Sequence, residues 1–236
     1  MWTKTTQLYE GKAKKIWAVE GSDDLVIQEF KNDATAFNGE KRGSWGNKGT
    51  VNTTIASTLF KYLEAHGVRT HFVEQLSENE MLIKKLTIVP LEVIVRNRSA
   101  GSFCKRYGAK EGIIFTTPTF EFSYKRDDLG DPLINDSHAM ALGLADEAEI
   151  ASIRTSALQI NELLKTFFLD RGIVLVDFKL EFGKHHGEIL LGDEISPDTC
   201  RFWDAKTGEK LDKDRFRFDL GNVEDAYATM LEKVVG

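Results

Sequence analysis

The chain has 236 residues, 42% hydrophobic and 29% charged, an ordinary globular composition with length for one large domain or two lobes. Its formal net charge of -6 excludes a general nucleic-acid binder but leaves room for a small phosphorylated metabolite in a local cationic pocket. No apolar run reaches a membrane span, the first dozen residues hold no signal-peptide core, and Cys104 and Cys200 fit no metal spacing, so a cytoplasmic chain with reduced thiols is expected.

In chain order, Lys15–Val19 and Leu25–Phe30 are apolar-rich runs flanking the turn-like Gly21-Ser-Asp-Asp24, and predict paired strands. Residues 33–47, rich in Gly, Asn and Asp, read as loop. Val51, Ile55, Leu59, Tyr62 and Leu63 share one helical face, which predicts a helix from Lys48 to His66, stopped by Gly67. His71–Leu76, Met81–Leu86 and Leu91–Arg98 read as strands. Residues 116–137, with Pro118, Pro132 and many charges, read as a long loop with some strand. Ile150, Ile153, Ala157, Ile160, Leu164 and Phe167 predict a helix over Asp146–Asp170, ended by Gly172. Ile173–Phe182 and Glu188–Ile195 predict a strand pair, and Val223–Val234 a final helix. Strands first and mixed elements later, with few βαβ units, indicate an α+β fold in two lobes.

The stretch from Val174 to Gly183, VLVDFKLEFG, carries the most chemistry. Alternation puts Val174, Val176, Phe178, Leu180 and Phe182 on one face, and Asp177, Lys179 and Glu181 on the other. A solvated strand face is the plain alternative. The following run brings a second acidic pair, Asp193 and Glu194, next to that row. Clustered carboxylates repel unless a cation sits among them, and magnesium prefers a few carboxylates with nucleotide phosphates. An even register places Asp193 with Glu181, and an odd one places Glu194 there.

Gly11-Lys12-Ala13-Lys14 offers close backbone approach and charge to a phosphate, though a lysine-rich surface turn has the same composition. Arg96 and Arg98 alternate on one strand, before a small-residue turn that carries Ser102. Guanidinium, hydroxyl and free amide suit a phosphate or carboxylate. Arg201 has the same two readings, binding or ion pairing, and the run Lys213 to Arg217 is weaker still. His185 and His186 sit between glycines, and a solvated turn outweighs a metal site with Glu188.

Together GKAK, VPLEVIVRNRSAGS, LVDFKLEFG and LGDEISPDTCRFWD resemble the SAICAR synthetase family in order and spacing, over nearly the whole chain. The insert from Asp33 to Gly39 resembles the short bacterial form. The resemblance implies a two-lobed, ATP-grasp or kinase-like α+β fold, with residues 1–88 as a β-rich lobe, 89–236 as the second, and ATP between them. It implies an ATP-dependent ligase joining a carboxylated aminoimidazole ribonucleotide (CAIR) to L-aspartate, with Mg2+ as cofactor, in a cytoplasmic homodimer. Gly11, Lys12, Ala13 and Lys14 would meet the ATP phosphates. Leu86 and Ile88 would offer backbone groups to adenine. Glu181 and Asp193 would hold magnesium, which needs the even register. Arg96, Ser102 and Arg201 would bind the ribonucleotide, and Lys179 and Asp177 would act at the reacting centre, Asp177 or phosphate taking the amine proton. A kinase-like phosphotransferase is the competing class, but neither His-Arg-Asp nor Asp-Phe-Gly occurs. A non-catalytic nucleotide-binding module would not need the charged row, the second acidic pair and the arginines together.

Overall fold

The first sheet grows from β-branched and aromatic runs. In the computed structural model, which describes residues 2–36 and 41–236, strands β1 (Lys4–Glu10), β2 (Lys14–Val19) and β3 (Ser22–Phe30) form an antiparallel meander. A short pair follows, β4 (Asp33–Ala36) with β5 (Lys41–Ser44), where the sequence predicts loop. Phe37, Asn38 and Gly39 of the insert lie outside the described residues. Helix α1 (Lys48–Ala65) buries Val51, Ile55, Leu59 and Leu63, the predicted face. Strands β6 (Phe72–Gln75) and β7 (Glu80–Lys84) complete a sheet of order β1-β2-β3-β7-β6.

A second antiparallel sheet begins three residues on. It contains β8 (Thr87–Arg98), β9 (Ile114–Tyr124), β10 (Leu133–Ile134), β11 (Ile173–His185), β12 (Glu188–Gly192) and β13 (Cys200–Asp204). Its order is β10-β9-β8-β11-β12, with β13 also on β11. Residues 116–124, predicted mostly as loop, are strand. Pro118 argues against a strand, since proline cannot donate to a ladder. It falls where the β8–β9 register shifts, between the Arg96↔Thr119 and Arg98↔Ile114 pairs. Pro90 likewise sits within a register shift of β8 on β11, and β8 starts before it, at Thr87.

Helix α2 (Gly101–Tyr107) leads from β8 to β9, and α3 (Asp136–Ala141) precedes α4 (Glu147–Leu169). Asp146 caps α4 reciprocally with Glu149, a capping box that fixes its start. Its predicted apolar face is buried, at about 1.5–3 kcal/mol per large side chain. Helix α5 (Asp214–Arg217) is one turn, and α6 (Val223–Val235) returns to pack on α1. One apolar core therefore runs from Phe30 and Leu59 of the first part to Phe178 and Leu180 of the second. No helix among the described residues is long and apolar enough to cross a membrane.

Two expectations for β11 and β12 fail locally. Val174 and Val176 do not share the core face of Phe178; they cluster with Ala100 and Trp203. The β11–β13 register shifts between Leu175 and Asp177, and this bulge at Val176 inverts the alternation. The β11–β12 register is odd, with Glu181 opposite Gly192, not even. Yet β12 ends there, because Asp193 turns left-handed at φ 59. The turn breaks the alternation that made register decisive.

Candidate active site

A cavity of 840 Å³ opens between the two sheets. All thirteen residues to which the family resemblance gives a role line it: Gly11, Lys12, Ala13, Lys14, Leu86, Ile88, Arg96, Ser102, Asp177, Lys179, Glu181, Asp193 and Arg201. The central strand β11 lends it the row Asp177, Lys179 and Glu181, so the cavity has two charged ends. Asp177 and Glu181 are four residues apart, about 13 Å along a strand.

At the Glu181 end, cations and carboxylates alternate. Lys14 bridges Asp193 and Glu194, so both members of the acidic pair reach the site whatever the register. Lys179 Nζ donates to Glu181 Oε1 at 2.5 Å and Asp193 Oδ2 at 3.3 Å, with Glu92 at 3.5 Å. Lys125 Nζ donates to the same Glu181 oxygen at 2.6 Å. Burial would raise the Glu181 carboxyl, but Lys179 and Lys125 hold it at about 2. Burial opposes charge on Lys179 too, yet Glu181 and Glu92 raise it well above the ordinary lysine value. Burial lowers Lys14, against the pull of Glu194. Among the described residues, no three carboxylate, histidine or cysteine side chains could hold a metal by themselves. The hard oxygens of Glu181 and Asp193 do fit magnesium, which takes one or two carboxylates and completes its shell with phosphates and water.

The turn before β2 closes tightly, the Gly11 amide donating to Lys14 O at 2.8 Å. A Cβ on Gly11 would stand 3.0 Å from the Tyr9 ring. Lys12 is exposed and reaches Asp127 Oδ1 at 2.9 Å across the mouth. Ile16, Val26, Ile83, Leu86 and Ile88 make an apolar wall between the sheets. Leu86 comes close because Gly183 and Gly192 have no side chain: a Cβ there would meet Leu86 atoms at 2.7 and 2.8 Å. Among the described residues, neither the amide nor the carbonyl of Leu86 has a backbone partner. His71, 2% exposed, also lines the cavity, and burial with Lys14 and Lys84 lowers it to about 3.

At the Asp177 end, guanidiniums dominate. Arg96 is buried and donates four hydrogen bonds: Nε and Nη2 to Glu121, Nη1 to Asp177, and Nη2 to Ser102 Oγ at 3.0 Å. Arg201 Nη1 donates to both Asp177 oxygens, at 2.9 and 3.1 Å, and its Nε to Asp214 at 2.8 Å. Arg201 Nη2 makes no hydrogen bond among the described residues and lies over Gly101, where a Cβ would be 2.2 Å away. Both Asp177 oxygens accept from guanidiniums, Oδ2 from Arg96 and Arg201 and Oδ1 from Arg201. Asp177 thus stands between Arg96 and Arg201 and orients both guanidiniums. Among the described residues Arg98 makes no such contact, and it lies beyond the cavity lining, where the β8–β9 pairing is irregular.

Lys125, Glu92, Lys213 and Arg217 line the cavity too. Within the Lys213–Arg217 run only the first and last residues do so; Arg215 is buried and donates to the Gly221 and Lys210 carbonyls. A four-residue spacing, about one turn of helix, was the available signal for that pair. Lys125 had none, since only the pairing of β9 with β8 brings it over Glu181. His185 and His186 are not in the cavity: His185 Nδ1 lies 3.0 Å from Lys85 O, and His186 pairs with Asp24 at the surface.

The SAICAR synthetase family model matches residues 7–234. The phosphoribosylaminoimidazole-succinocarboxamide synthase of Pelodictyon phaeoclathratiforme is 61% identical over 232 residues, 98% of either chain. The crystal structure of that enzyme from Ehrlichia chaffeensis superposes at a TM-score of 0.95, with 45% identity, over 97% of this chain and 98% of that one. A SAICAR synthetase in complex with ADP superposes at 0.93, with 50% identity, over 97% of each chain. Matched almost from end to end in sequence and in fold, the chain belongs to the SAICAR synthetase family.

Proposed function

We propose that this cavity joins CAIR, 5-amino-1-(5-phosphoribosyl)imidazole-4-carboxylate, to L-aspartate with conversion of ATP to ADP and phosphate, a step of purine biosynthesis. The observation that carries the reading is one strand, β11, presenting a lysine–carboxylate cluster at one end and an arginine cluster at the other of a single cavity. Two lobes, 1–88 and 89–236, set the cleft; the change of sheet between Lys84 and Thr87 supports that division. A cytoplasmic homodimer goes with the family reading.

The apolar wall and the unpaired Leu86 backbone receive adenine, with Ile88 beside it. Lys14, with Lys12 at the mouth, faces the phosphates. Glu181 and Asp193 would hold Mg2+, with Glu194 adjacent, and the ion would neutralise charge on the transferring phosphoryl group. Arg201, Arg96 with Ser102, and Asp177 behind them position the ribonucleotide. Lys179 holds two like-charged reactants together: the CAIR carboxylate and the γ-phosphate. A carboxylate oxygen attacks phosphorus, the bond to the β,γ-bridging oxygen breaks, and ADP leaves. The aspartate amine then attacks the acyl carbon, and phosphate departs with the transferred oxygen. The amine proton goes to that phosphate, while Asp177 holds Arg96 and Arg201.

The test is isotopic. With heavy oxygen in the CAIR carboxylate, one labelled oxygen is expected in released phosphate. Phosphate free of label, with amide formed at the usual rate, rejects the acyl phosphate. Turnover that ignores aspartate would favour a phosphotransferase instead.

A further inference from the structure

Asp214 opens α5, is 0% exposed and stands behind the cavity wall, not in it. Its Oδ2 accepts from Arg201 Nε at 2.8 Å and its Oδ1 from Arg217 Nη1 at 2.7 Å, one oxygen for each guanidinium. Both arginines line the cavity. For Arg217 this is the one side-chain hydrogen bond among the described residues. Asp214 is itself anchored: its amide donates to Asp212 Oδ1 at 2.7 Å, and Asp212 Oδ2 takes the Phe202 amide of β13 at 2.8 Å. Burial would raise the Asp214 carboxyl, but Arg201 and Arg217 bring it below the usual aspartate value, so it stays charged. Burial and the neighbouring Asp214 push Asp212 up to about 7.

The cavity side of this assembly has cationic capacity to spare. Among the described residues, Arg201 Nη2 donates to nothing, and the nearest carboxylate to Lys213 Nζ is Asp198 at 3.9 Å. A network built only for stability would satisfy its cations internally, because unpaired buried charge is costly. An anion entering here finds two guanidiniums already aimed by a carboxylate it does not touch. The Glu181 cluster lies about 13 Å along β11. The anion is therefore not part of the nucleotide.

We propose that Asp214 is the positioning residue of an anion-receiving pair, holding Arg201 and Arg217 for a phosphate or carboxylate group of a substrate other than ATP. The inference rests on the ligase reading of the cavity for the identity of its substrates. The group comes from CAIR or from L-aspartate, and kinetics separates the two.

The experiment varies ATP, CAIR and aspartate in turn for the wild type, Asp214→Asn, Asp214→Glu, Arg217→Met and the double variant Asp214→Asn/Arg217→Met. Circular dichroism establishes the folded fraction. In Asp214→Asn, KM for CAIR or for aspartate should rise at least tenfold while KM for ATP stays within twofold. The double variant should fall short of the product of the single effects, because Asp214 acts through Arg217. Asp214→Glu keeps the charge but shifts both guanidiniums, and should raise the same KM by less; it carries the test if the Asn variant does not fold. A fall in kcat with every KM unchanged, an equal rise for ATP, or multiplicative effects overturns the proposal. Should the wild type not ligate CAIR and aspartate, the ligase reading fails separately. Calorimetric titration of ribose 5-phosphate and of L-aspartate then decides: at least tenfold weaker binding of either to Asp214→Asn supports the role, and equal affinity, or no binding of either to the wild type, overturns it.

Discussion

Gly101→Ala is the sharpest probe of the arginine end. Gly101 has φ 53, a left-handed backbone that costs a residue with a Cβ roughly 1 kcal/mol or more. The added Cβ would stand 2.2 Å from Arg201 Nη2 and 2.6 Å from its Cζ, well inside contact distance. A free arginine tip would swing away. This one is pinned by Asp177 at 2.9 and 3.1 Å and by Asp214 at 2.8 Å. Moving it weakens charge-assisted hydrogen bonds worth about 1.5–3 kcal/mol each. The expected loss is about 3–5 kcal/mol, a large share of the ~5–15 kcal/mol that holds a domain together. Urea unfolding followed by circular dichroism measures it, and steady-state kinetics should show a higher KM for CAIR. A stability change under about 1 kcal/mol with an unchanged KM would mean that the guanidinium yields freely, and would refute the pinned geometry.

Three further outcomes are expected. His71 remains neutral in the fold down to about 3, whereas an unfolded histidine protonates near 6.5. Its neutral burial thus stabilises the fold fully above about 6.5, and that contribution is lost as pH falls, by roughly 1 kcal/mol per unit; His71→Leu should flatten the slope between about pH 6.5 and 4.5 in urea unfolding, and an unaltered slope would show that the ring is protonated in place. Asp193→Asn keeps a residue that tolerates φ 59, so the fold should persist while the magnesium needed for half-maximal turnover rises about tenfold or more; near-normal turnover at modest magnesium would remove Asp193 from the metal site. Arg96→Lys keeps the charge but loses the planar fork that serves Glu121, Asp177 and Ser102, and should cost about 2–4 kcal/mol of stability and raise KM for CAIR more than for ATP. An effect on ATP alone would place Arg96 at the nucleotide end.

What the sequence determined by itself was local or periodic. The faces of α1 and α4 follow from apolar residues at three- and four-residue steps, and Asp146 with Glu149 fixes a helix start within four residues. The charged row of β11 follows from alternation, which also separates Asp177, Lys179 and Glu181 from the core at Phe178 and Leu180. What tertiary structure alone decided was where alternation breaks and which distant charges meet. The bulge at Val176 and the left-handed turn at Asp193 depend on strand neighbours, so neither a clean face for Val174 nor the choice of register could be read from spacing. Lys125 reaches Glu181 from 56 residues away, and Arg96 reaches Asp177 from 81. Asp177 shows the difference: within its strand it reads as a candidate base, and only the fold brings guanidiniums from two other strands onto its oxygens. Electrostatic roles are set by neighbours within a few ångströms, and in a sheet built from remote strands those neighbours are fixed by topology.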